Sequence, residues 1–139
     1  MQSKTVYAVA VALVFAACSG IASAKLCKDV TIKVDNDFEL NGSPVQIQVV
    51  DFDYWDNGEG KWREENWVGN VVIDYNAGAR TVATRNLEYV GGESGVIIRV
   101  HYKYMTEKNG WSERLTAQSG PFTCSRDGPN SKTIIVGPM

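Results

Sequence analysis

One histidine, three cysteines, a thin supply of basic residues and no long apolar run are the scarcities of this chain, and each removes a class of function. With His101 alone there is no HExxH pair and no histidine-rich metal site. No P-loop occurs, and Gly92-Glu93-Ser94-Gly95 is one residue short of the GxSxG nucleophile elbow, so a glycine-rich turn accounts for it. Lys and Arg number 14 against 16 Asp and Glu. That balance argues against nucleic acid or an anionic membrane as partner.

The apolar run at residues 5–17 is shorter than the roughly 20 residues a bilayer demands, and Gly20 follows it. Lys4 ahead and Ala22-Ser23-Ala24 behind make residues 1–24 read as a cleaved signal peptide, with Lys25 opening a single domain at 25–139. Cleavage before Cys18 and lipid anchoring is the rival expectation. Either way the protein is expected to be secreted or periplasmic, without a transmembrane segment. Both routes take Cys18 out of disulfide chemistry. Cys27 and Cys124 show no CxxC spacing and no adjacent histidine, so in an oxidising compartment they are expected to bridge, on neighbouring strands. Closing so long a loop is worth roughly 4 to 5 kcal/mol on the chain-entropy argument.

Helical periodicity is also missing. Alternation with a period of two runs through "DVTIKVD", "PVQIQVVDFDYW", "TVATRNLEYV" and "GVIIRVHYKYM". In the second of these the inward face changes at Val49-Val50, the mark of a bulge. Turn signals separate the runs. The fold class expected is all-β: a small antiparallel β-sandwich of immunoglobulin-like character with one disulfide, a small β-barrel being the alternative.

What the chain does have is concentrated. "DFDYWDNGEGKWREENW", residues 51–67, holds three of the four tryptophans and six carboxylates. From Asp53 it approaches the D-x-[DN]-x-[DN]-G calcium loop, with Asn57, Gly58 and Glu64 in place. Trp55 occupies a position that must supply oxygen. No cofactor is therefore expected, calcium on Asp51, Asp53, Asp56 and Glu59 being the alternative.

Read as a hairpin with Asp56–Gly60 as its loop, the stretch sets Trp55 opposite Lys61, Tyr54 opposite Trp62, Asp53 opposite Arg63 and Asp51 opposite Glu65. Phe52, Tyr54 and Trp62 then face the core, with Asp51, Asp53, Trp55, Lys61, Arg63 and Glu65 on the other side. Like charges directly opposite destabilise a sheet, so a cation is expected beside Asp51 and Glu65. Trp55 among charges reads either as an interaction anchor or as a ring covered by another loop. The binding residues expected are Trp55, Asp51, Asp53, Asp56, Glu59, Arg63 and Glu65. The function expected is non-catalytic recognition of a basic protein, as an inhibitor or neutraliser. A glycan stacked on Trp55 is the second reading, and a small hydrolase using two of the acids the third. His101 reads as a structural histidine. The sequence carries no signal for an oligomeric state.

Overall fold

A computed structural model describes residues 25–65 and 67–138. The expected signal peptide, and Cys18 with it, lies outside the described residues. Ten strands follow in order: β1 Cys27–Asn36, β2 Glu39–Leu40, β3 Ser43–Pro44, β4 Ile47–Asp56, β5 Lys61–Glu64, β6 Val71–Ile73, β7 Arg80–Leu87, β8 Ile97–Tyr104, β9 Leu115–Gln118 and β10 Asn130–Val136. There is no helix among the described residues, and so none long and apolar enough to cross a membrane.

The strands form a three-stranded sheet, β10-β1-β7, and a larger sheet, β5-β4-β8-β9, in which β6 also pairs with β4. β2 and β3 make a separate small hairpin. The sheets do not close into a barrel; the fold is the expected sandwich. Its core lies where their inner faces meet. Val30, Ile32 and Val34 of β1, with Ile134 and Val136 of β10, join Ile47, Val49 and Phe52 of β4 and Ile98, Val100 and Tyr102 of β8.

Alternation works along β1 and β8 because one face of each strand is buried and the other is not. On β4 the register against β8 slips between Val49 and Asp51, where the doubled apolar step placed a bulge. The edge of β4 away from β8 is shared: β6 pairs with Ile47 to Val49 and β5 with Asp53 to Asp56. In the gap, Gly69 N–H donates to the Val50 carbonyl and Trp67 packs on Phe52, ring centroids 5.6 Å apart. One pairing departs from the antiparallel expectation. β1 and β10 run parallel.

Cys27 and Cys124 are bonded, with Cα atoms 5.7 Å apart, within the usual range for a bridge. They do not lie on neighbouring strands, however. Cys27 opens β1, and Cys124 sits in the segment between β9 and β10.

Candidate functional site

The hairpin β4–β5 is built one residue differently from its sequence reading. Asp56 pairs with Lys61, Trp55 with Trp62, Tyr54 with Arg63 and Asp53 with Glu64. The loop is therefore residues 57–60, one shorter than expected, and a one-residue slip exchanges the two faces of a strand. Trp62 leaves the core face and joins Trp55; Lys61 and Arg63 move to the side of Phe52 and Tyr54. The reason is Asp56. Aspartate is a turn former by composition, but here its carboxylate is fully buried and belongs to the ladder.

Around Asp56 the turn is fixed from three directions. Arg63 Nε donates to its Oδ2 at 2.7 Å, and Glu59 N–H donates to its Oδ1 at 3.1 Å. Glu93, from the loop after β7, meets the same carboxylate and accepts Gly58 N–H at 3.4 Å. A Cβ on Gly58 would push the Glu93 carboxyl out of its present place. Burial would raise Asp56, but the hydrogen bonds from Arg63 and the Glu59 N–H outweigh it and hold the group below its usual value. Burial pushes Glu93 up, and its contact with Asp56 adds to the rise.

On the solvent side of the sheet lies a row of alternating aromatic and charged groups. Trp55 and Trp62 meet edge to face, centroids 5.5 Å apart. The Arg99 guanidinium of β8 lies 4.0 Å above the Trp62 ring and is bound by Asp53 at 2.8 and 2.5 Å. His101 Nε2 is 3.3 Å from the same carboxylate, and Arg114 stands 3.7 Å from Asp51. The like-charge clash expected at Asp51 and Glu65 falls instead at Asp53 and Glu64, and its cation is Arg99, which the Asp53 hydrogen bonds hold firmly protonated. Asp53 thus pairs with Arg99 rather than Arg63, and Arg63 with Asp56.

On the other side, between β5 and the end of β7, opens a cleft of about 510 Å³. Tyr54, Arg63, Glu65, Arg85, Glu88 and Tyr89 are among the residues that line it. Tyr54 Oη donates to the Glu88 carbonyl at 3.0 Å, and Arg63 stacks 4.1 Å above the Tyr89 ring. Burial, then the nearby Glu88 charge, raise the Glu65 carboxyl.

The seven expected site residues are thus divided. Asp51, Asp53 and Trp55 share the outer row; Asp56, Arg63 and Glu65 belong to the inner side and the cleft; Glu59 is exposed on the turn. Among the described residues no three His, Cys, Asp or Glu side chains gather as a metal centre would require. The acids of the near-calcium loop are turned onto guanidinium groups: Asp53 to Arg99 and Asp56 to Arg63. Trp62, read from the sequence as core, and Arg99, Glu88, Tyr89 and Glu93 were not among the binding residues expected. Four of these five come from elements distant along the chain. Trp62 alone had a local signal, and the register hid it.

The carboxyl shifts fix a pH dependence. Glu65 and Glu93 hold their protons more tightly in the folded chain. The stability they lend is complete below the ordinary glutamate value of about 4.3 and is lost as pH rises through their raised values. Asp56 acts oppositely: its contribution is complete above the ordinary aspartate value of about 3.9 and is lost as pH falls through its lowered one. The melting temperature is expected to peak at about pH 4 and fall on either side. Glu65→Gln with Glu93→Gln should flatten the alkaline limb and spare the acidic one. A melting temperature climbing steadily from pH 4 to neutrality would contradict this assignment.

Neither a known protein family, nor a curated protein, nor a solved structure matches the chain.

Proposed function

We propose that this is an exported, non-catalytic recognition domain whose hairpin end binds a basic protein, as an inhibitor or neutraliser. One observation carries the reading. Glu59, Glu64, Glu65 and Glu88 form no ion pair among the described residues, and Glu64, Glu65 and Glu88 line the cleft together with Trp62 and Tyr89. Arg99 and Arg63 are taken by Asp53 and Asp56, while Arg85, which also lines the cleft, acts on Glu65 without forming an ion pair. These four carboxylates are left to face solvent or a partner. Such a field speeds encounter with a cationic surface, and half-buried tryptophans supply contact area once water is expelled. The Cys27–Cys124 bridge supports an oxidising compartment.

The test is binding of the domain to a panel of defined cationic proteins and to neutral oligosaccharides, each at about 0.05 and 0.5 M salt, since charge steering is screened within a few ångströms at high ionic strength. A cationic protein that binds at low salt and is released at high salt supports the reading. Saccharide binding indifferent to salt points to the glycan instead. Trp55→Ala should weaken the protein complex by about 2 kcal/mol or more while lowering stability by only about 1 kcal/mol, the worth of one edge-to-face ring pair. Unchanged affinity in that variant would remove Trp55 from the interface.

A further inference from the structure

Three Asn-Gly dipeptides occur in the chain, Asn41-Gly42, Asn57-Gly58 and Asn109-Gly110, each in a connection between strands. Such a dipeptide carries a latent reaction, because the glycine nitrogen, unscreened by a side chain, can approach the asparagine amide carbon. The surroundings of the three differ. Asn41 and Asn109 hold left-handed backbone, with φ of 53° and 58°. No other part of the chain comes near the place of a Cβ on Gly42, and Gly110 meets only the Thr106 hydroxyl, which accepts its N–H at 3.3 Å.

Asn57-Gly58 is gripped on three sides. The Trp55 indole N–H donates to Asn57 Oδ1 at 3.4 Å, and the Gly58 N–H donates to Glu93 Oε2 at 3.4 Å. Gly95 supplies the seat for the amide, since a Cβ there would stand 3.0 Å from Asn57 Nδ2 and 3.1 Å from Cγ. A donor therefore rests on the oxygen that gains negative charge under attack, and a carboxylate on the N–H that must lose its proton. Both residues of the dipeptide are exposed to water. The Asp56 carboxylate, bound by Arg63, and the Lys25 charge are the other ionic groups acting on Glu93.

We propose that Asn57 is a self-modification site, where Trp55 and Glu93 promote deamidation in the folded protein. Glu93 takes the Gly58 N–H proton, and the nitrogen bonds to Asn57 Cγ. The Cγ–Nδ2 bond breaks, and the amide nitrogen leaves as ammonia with the proton returned by Glu93. Water opens the cyclic imide to aspartate or isoaspartate. One water is consumed and one ammonia released, with no change of oxidation state. The reaction occurs once per chain and turns over no substrate. It sets a new carboxylate at the hairpin tip, whatever partner the hairpin meets.

Peptide mapping by mass spectrometry of the intact, disulfide-bonded protein, aged at a series of pH values through the neutral range, tests this against Asn41 and Asn109 as internal references. Asn57 should deamidate at least about tenfold faster than either, a fraction of the roughly 10² to 10⁴ that a well-placed acid or base contributes. In the reduced chain unfolded in urea it should slow to the rate of the others. Glu93→Gln, whose amide oxygen still accepts the Gly58 N–H but takes no proton, should slow Asn57 about tenfold. Trp55→Phe, which keeps a ring and loses the N–H, should slow it severalfold. The pH profile separates a chemical role for Glu93 from a merely structural one. With Glu93 as the base, the Asn57 rate stays level once that carboxylate is ionised, whereas the references, and Asn57 in Glu93→Gln, climb with hydroxide. Asn57 reacting no faster than the references in the folded protein, climbing with pH as they do, or keeping its rate in either variant would each overturn the assignment.

Discussion

Asp56→Ala is expected to destabilise the domain by about 3 to 5 kcal/mol, the cost of removing one partner from a buried ion pair. A turn aspartate on the surface would cost a fraction of that. The difference lies in what the carboxylate holds: Arg63, the Glu59 N–H and the Glu93 carboxyl, all on a side chain with no exposed area. Its loss leaves the Arg63 guanidinium, only 17% exposed, with the Tyr89 ring and no anion. Asp56→Asn should cost less, because the amide oxygen still accepts the Glu59 N–H while the charge is gone. Replacing Asp56 and Arg63 together by leucine should recover much of the loss, as apolar exchange of buried pairs often does. Urea denaturation of the four proteins decides the matter. A loss below about 1 kcal/mol for Asp56→Ala, the scale of ordinary surface changes, would mean that the turn does not depend on this group.

Removing the disulfide is the second large effect. Cys27→Ala with Cys124→Ala should cost about 2 to 5 kcal/mol. The damage should also be directional. Gly92 N–H donates to the Cys124 carbonyl at 2.7 Å, and Cys124 N–H donates to the Glu93 carbonyl at 2.9 Å. Gly91 is pressed against the backbone of Lys25 and Leu26, where a Cβ has no room. The bridge therefore fixes the loop that carries Glu93 to the hairpin. Amide exchange at Gly58 and Gly92 should accelerate more than at Val100 in the middle of β8. Uniform acceleration across these positions would show that the bridge stabilises the whole fold without favouring the hairpin end.

The strands were legible because burial on one side writes itself into the sequence as alternation, and even the bulge at Val49-Val50 left its doubled step. Direction left no such trace: Val30, Ile32 and Val34 alternate alike whether β10 runs parallel or antiparallel to them. The hairpin register turned on whether Asp56 belonged to loop or ladder, a choice made by Arg63 and by Glu93 from a different part of the chain. Composition found Trp55 and the acids of residues 51–67. It could not find Arg99, Glu88 or Tyr89, whose place beside them is a product of strand pairing and loop packing rather than of nearness in the chain.

The parallel union of β1 and β10 governs the order in which the molecule can assemble. β1 is the middle strand of its sheet, with Val30 beside Arg85 on one edge and beside Asn130 on the other. Neither neighbour is local, so the entropy of closing a long loop is spent before either contact forms. Until the last strand docks, β1 keeps one edge open. Chains dominated by such distant pairings refold over milliseconds to seconds, on the order of 10³ times slower than helical bundles. Throughout that interval a strand with one apolar face and an unpaired edge is open to other chains, which makes the time before β10 docks the time of greatest risk of aggregation.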